Sequence, residues 1–241
     1  MEQEYNWRAS GMTYNILHIL CEGQTEERFV KEVLSPYLQQ FNIYPKPILL
    51  LTSKKKNARG GMLSYAQAKR DLTILQKQYR NNNSEHHMFT TMFDYYALPD
   101  DFPGVEESTE IQDVRSRISF LEDKFAEELG GSAFIPYIQL HEFEALLFVD
   151  ITKLQAEYPL SSERIRILKE ETAIYGDPEM INNSPDTAPS KRIIAALAQD
   201  YHYNKVQSGT AITSLIGMES LLDNCQHFKE WVEHIKKFSS Q

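Results

Sequence analysis

Acidic side chains close three apolar runs in this sequence. Glu22 follows Y-N-I-L-H-I-L-C at 14–21, Asp94 ends M-F-T-T-M-F-D at 88–94, and Glu142 and Glu144 follow the run at 134–140. Carboxylates brought to one place repel and resist ionising unless a cation sits between them. Hard oxygen donors around a partly hydrated position suit Mg²⁺ or Mn²⁺. The pattern therefore predicts a carboxylate-lined divalent-metal site, with Glu22, Asp94, Glu142 and Glu144 as its candidate oxygens.

The sharpest local motif is C-E-G-Q-T-E-E at 21–27. Gly23 permits a tight strand-to-helix turn that leaves the Glu22 carboxylate above the sheet. Glu26 lies one helical turn later and could reach the same side. Thr25 is the expected N-cap, and Glu26 and Glu27 could equally be acids placed near the positive end of a helix. His141-Glu142-Phe143-Glu144 lacks the second histidine of the zinc-protease pattern. On a helix His141 and Glu144 share one face; the alternative is a polar start to an apolar helix.

Two basic stretches are candidates for holding a phosphate backbone. Lys54, Lys55, Lys56 and Arg59 precede Gly60-Gly61 in a loop after a strand, where they either grip phosphates or are simply solvated. Ser190-Lys191-Arg192 opens a helix after Pro189, where free backbone N–H groups favour an anion. His86 and His87 lack ligand spacing and read as ordinary residues. Neither a GxGxxG nor a P-loop is present.

Positioning these groups requires strands that end together. Strands are expected at 14–21, 47–51, 88–94 and 134–140, and helices at 25–41, 64–80 and 111–129, the last stopped by Gly130-Gly131. The order β-α-β-α-β-α-β predicts an α/β fold with a mostly parallel sheet and helices on both faces. In such sheets ligands gather at the carboxyl ends of the strands. After Asp150 the pattern becomes helical, at 162–175, 190–201 and 217–238. Residues 1–150 are thus expected to form the α/β domain and 151–241 a helical extension packed on it.

Composition bounds the setting. The 241 residues carry 25 Lys+Arg against 34 Asp+Glu, a net charge of −9. That balance disfavours a general coat on nucleic acid, although a bound divalent ion inverts the local charge and a partner subunit can supply basic surface. Cys21 and Cys225 form neither a disulfide framework nor a zinc spacing. No apolar run is long enough for a membrane span, and the opening M-E-Q-E-Y-N-W is unlike a signal peptide. A cytoplasmic protein is expected.

A strand ending in Glu-Gly, then a helix, then a later strand ending in Asp resembles the Toprim domain of topoisomerases, bacterial primases and OLD-family nucleases. The stretches L-C-E-G-Q-T-E-E-R-F, F-D-Y-Y-A-L-P-D-D-F-P-G, L-H-E-F-E-A-L-L-F and A-P-S-K-R-I resemble a Toprim-like family of largely uncharacterised bacterial proteins linked to phage defence and restriction. The Toprim likeness covers about 14–150 and the narrower one extends to Ile193.

The resemblance implies that Glu22 binds metal or moves a proton, and that Asp94 is the first aspartate of an Asp-x-Asp pair. Tyr96 stands where the second belongs, so Asp100, Asp101, Glu142 or Glu144 replaces it or the activity is altered. Glu26 is similar to the acid that OLD-type nucleases use for a second metal. Glu144 is favoured over Glu142, and Lys191 as a phosphate contact, on the same likeness. The implied function is Mg²⁺-dependent cleavage of nucleic acid, DNA or RNA, in phage defence with a partner. The alternatives are a non-catalytic binding or regulatory module on the same scaffold, in complex with an ATPase partner, or chemistry on a small nucleotide.

Overall fold

Tyr14–Cys21 forms strand β1, in which Leu17, Ile19, Leu20 and Cys21 are all sealed from solvent. Burial on both faces marks a central parallel strand rather than a half-exposed one. The computed structural model describes residues 13–50, 64–131, 133–182 and 185–240. Within them β1 is flanked in parallel by β2 (Ile43–Leu49) and β3 (Glu85–Asp94). β3 pairs in parallel with β4 (Phe134–Ile135) and then with β5 (Ile138–Gln139), giving the order β2-β1-β3-β4. Cys21 lies opposite Met92, and Asp94 opposite Gln139. That register brings Glu22, Asp94 and the stretch from His141 to Glu144 to one edge of the sheet.

Successive side chains on β1 point to opposite faces, and each face has its own core. Leu17, Ile19 and Cys21 join a cluster that includes Phe29, Phe143, Leu197, Ile212, Trp231 and Ile235. Leu20 joins Phe89, Phe93, Leu72, Leu121 and Phe125 on the other side. Helices thus cover both faces, as expected from the alternating order. Each fully buried Leu, Ile or Phe contributes about 1.5–3 kcal/mol of transfer free energy.

After Gly23 the chain enters α1 (Gln24–Phe29), passes through a π turn at Val30–Leu34 into α2 (Ser35–Leu38), and ends at Asn42 with φ 58°. The N-cap is Gly23, not Thr25, because the Glu26 carboxylate reaches back to the Gly23 N–H at 2.9 Å. The opposite face, that of Leu20, is covered by α3 (Tyr65–Gln78), α4 (Val105–Ser108) and α5 (Val114–Leu129), the last capped by Asp113 on the Ser116 N–H.

The second strand starts earlier than the apolar run at 47–51 suggests, because Ile43 to Pro47 also pairs with β1. The run at 134–140 is not one strand. Pro136 interrupts it, since proline has no N–H for the ladder, and the pairing survives as β4 and β5. The H-E-F-E-A-L-L-F stretch is not an α-helix: His141 has φ 62°, Glu142 is extended, and Phe143–Val149 is 3₁₀.

The remaining helices are α6 (Ser162–Thr172), α7 (Pro189–Leu197), α8 (Lys205–Ile216), α9 (Met218–Asn224) and α10 (Gln226–Phe238). The expected helix at 217–238 is two helices broken at extended Cys225, and α8 falls where no helix is expected. Gly209 lets α8 come close: a Cβ there would stand 3.1 Å from both Phe143 Cε1 and Thr25 Cγ2. Trp231 ties α10 to the sheet by donating from Nε1 to Thr90 Oγ1 at 2.9 Å. Among the described residues no helix is long and apolar enough to cross a membrane.

Candidate functional site

At the carboxyl edge of β1 and β3 the backbone itself joins two of the acids. The Asp94 N–H donates to Glu22 Oε2 at 3.1 Å, so the end of one strand fixes the side chain of the other. Asp94 Oδ1 is enclosed and has no hydrogen-bond partner. Burial raises the Asp94 carboxyl well above the usual range, and the charges of Glu22, Glu26, Glu144 and Glu142 raise it further. Burial also raises Glu22 to about 7, against the donated Asp94 N–H and with Glu26 adding repulsion. Glu144, 2% exposed, is pushed by burial to about 7 although Lys205 pulls it down. Glu26 is raised by burial too, and one of its oxygens is spent on the Gly23 N–H.

The acids foreseen at three strand ends therefore do meet: Asp94 feels Glu22, Glu26, Glu142 and Glu144 together. Their roles differ. Glu142 is held by α7, accepting from the Ser190 N–H and, at 3.0 Å, from the Ser190 hydroxyl. The anion expected on the free N–H groups at that helix start is thus a carboxylate of this chain. Asp101 Oδ1 accepts from the Tyr65 N–H at 2.9 Å at the start of α3, and Asp100 is exposed.

Of the candidate substrate contacts, Lys191 is exposed on the first turn of α7. Arg192 is engaged internally, its Nε on the Thr187 carbonyl at 2.8 Å and its Nη2 on the Tyr175 hydroxyl at 3.1 Å. His141 is buried, and burial lowers its pKa to about 4, leaving a neutral ring at neutral pH. Lys54, Lys55, Lys56 and Arg59 lie outside the described residues.

The structure adds a cation that the sequence pattern does not disclose. Lys205, at the start of α8, places Nζ 3.2 Å from Glu144 Oε1 and 3.7 Å from Glu142 Oε2. Burial acts to lower its pKa, but Glu144 and Glu142 outweigh that and hold it raised. The one local signal was Asn204, whose side chain caps α8 by accepting from the Gln207 N–H. Tyr203, buried beside it with its hydroxyl unpartnered, faces the same acids.

The donors are hard oxygens, two of them, Asp94 Oδ1 and Glu144 Oε1, enclosed without a hydrogen-bond partner, the second beside the Lys205 ammonium, which is the chemistry a hard divalent cation takes up. Among the described residues no group of three or more His, Cys, Asp or Glu is placed to hold a metal ion as it stands. A cation here would have to draw the carboxylates closer.

Residues 21–236 match the model of a family described as a domain of unknown function, DUF4276. No curated protein matches the chain. A solved structure, the C-terminal region of the Xanthomonas campestris pv. campestris OLD protein, is similar at 17% identity and a TM-score of 0.43, covering 92% of this chain and 94% of that one. No function is inferred from so distant an overlap.

Proposed function

Because the chain belongs to the DUF4276 family, a domain of unknown function, we propose its activity from its own acids: divalent-metal-dependent cleavage of phosphodiesters, nuclease-like, at the carboxyl edge of β1 and β3. The observation that carries this reading is Asp94, whose enclosed Oδ1 lacks a partner while four other carboxylates crowd it. Five acids at one edge are costly without a cation, and their oxygens are of the kind that Mg²⁺ or Mn²⁺ prefers. Glu22, Asp94 and Glu144 would hold the ion, whose contribution when bound is Lewis-acid charge on the phosphodiester.

The chain's own groups have separate tasks in this reading. The Asp94 N–H keeps Glu22 aimed across the strand ends. Glu26, its carboxyl raised above the usual range by burial, stands beside Glu22 as the group that would move a proton. Lys205 offsets part of the negative charge and, with exposed Lys191, provides attraction for a phosphate. Glu142, bound to Ser190, fixes the turn that carries Glu144. The setting in phage defence with an ATPase partner rests on the sequence resemblance alone.

A second reading is favoured by Lys205. Its ammonium already lies against Glu144 and Glu142, as in a scaffold that is neutralised internally and serves as a binding module of an ATPase-containing complex. Calorimetric titration with Mn²⁺ separates the two. Wild type is expected to bind, and Glu22→Gln and Asp94→Asn, shown folded by circular dichroism, are expected not to. Cleavage of nucleic acid with Mg²⁺ should follow the same order. A folded wild type that takes up no Mn²⁺ refutes the metal-dependent reading and leaves the binding module.

A further inference from the structure

The residue standing where a second acid is expected is an exposed aromatic. Tyr96 is 37% exposed, two positions beyond Asp94. Its N–H donates to the His141 carbonyl at 3.0 Å. That bond joins the segment leaving β3 to the turn leaving β5, so the ring is fixed at the lip of the acid cluster. Its centroid lies 5.3 Å from His141 at 38° and 5.8 Å from Tyr95 at 33°. The two neighbours are themselves anchored. The Tyr95 hydroxyl accepts from Arg117 Nη1 at 3.1 Å, and His141 Nδ1 lies 3.4 Å from Asn182 Nδ2.

An aromatic ring that is held by two tilted neighbours and still open to solvent offers surface to a planar partner. Every nucleobase has such a face, and base–aromatic stacking tolerates any sequence. Within a duplex those faces are already stacked on one another, so an aromatic shelf recognises bases that are unpaired or splayed out. The net charge of −9 also argues against a broad coat on duplex phosphates. One nucleotide held by its base would place the adjoining phosphodiester near Glu22 and Asp94.

We infer that Tyr96, braced by His141 and Tyr95, is a stacking shelf for an unpaired base, and that the substrate class of the site is single-stranded nucleic acid. The inference rests on the proposed phosphodiester site and deepens it.

Its test is fluorescence anisotropy with a labelled oligothymidylate and with a labelled duplex, in Ca²⁺ to limit cleavage, alongside Mn²⁺ calorimetry on the same wild-type protein. The single strand is expected to bind more tightly than the duplex. Tyr96→Leu should weaken single-strand binding by about 5- to 100-fold and leave the duplex unchanged. Tyr96→Phe, which keeps the ring, should bind like wild type. If wild type takes up Mn²⁺ but binds strand and duplex alike, or if Tyr96→Leu binds as wild type does, the shelf is overturned and the metal site stands. If wild type takes up neither Mn²⁺ nor nucleic acid, both ideas fall together.

Discussion

Lys205 reaches from the first turn of α8 to Glu144, Nζ to Oε1 at 3.2 Å, and so puts a positive charge beside the most deeply enclosed acid of the cluster. The pair links a helix from the C-terminal third to the turn that follows the last strand. Its energetic meaning depends on protonation, because Glu144 and Glu22 are both raised to about 7 by burial.

A carboxyl with a raised pKa binds its proton more tightly in the fold than in the unfolded chain. Its contribution is therefore fully present below the unfolded value of 4.5 and is lost as pH rises toward 7. Metal-free protein should be more stable near roughly pH 5 than near roughly pH 8, by on the order of a few kcal/mol, and should melt at a correspondingly higher temperature. Lys205→Met should widen that gap by leaving Glu144 without its counter-charge. Thermal melts in chelator across this range check both; a flat or reversed profile contradicts the crowded acids.

Glu142 and Ser190 should behave as one unit. Glu142→Ala leaves the Ser190 N–H without its acceptor and is expected to cost about 1–3 kcal/mol. Ser190→Ala removes the hydroxyl bond for about 0.5–1.5 kcal/mol. The double variant should cost less than the sum, since both changes break one contact. Urea unfolding of the three variants measures the coupling, and simple additivity would show that the two residues act separately.

At the edge of the sheet formed by the described residues, Pro45 and Pro47 lie on β2, where Leu50 donates to the Cys21 carbonyl. Donors alternate along a strand, so the two prolines occupy positions whose N–H groups would face away from β1. The outer edge thus lacks donors where another strand would dock. Replacing both with valine is expected to increase self-association relative to wild type, read by sedimentation velocity. Unchanged sedimentation would mean that the edge is protected in some other way.

The central strands and the acids at their ends were legible because burial on both faces leaves a continuous apolar run, and the chain must leave the sheet where that run stops. The fourth strand misleads for the same reason in reverse: the run at 134–140 is apolar but for Gln139, yet Pro136 allows only two short pairings. His141 to Phe148 misled through composition. Phe143 to Phe148 are all buried, so no stripe distinguishes an α-helix from a 3₁₀ path. α8 went unseen because Ser208, Gly209, Thr210 and Thr213 line its buried face, and small polar residues carry no hydrophobic period. Lys205 was lost with it.

Gly209 gives that omission a consequence. With Phe143 and Thr25 each 3.1 Å from where a Cβ would stand, even alanine there requires those side chains, or α8 itself, to give way by a few tenths of an ångström. Where α8 is what yields, Lys205 moves from Glu144 without any ionisable group being altered. The charge balance at the strand ends thus depends partly on a position with no side chain at all.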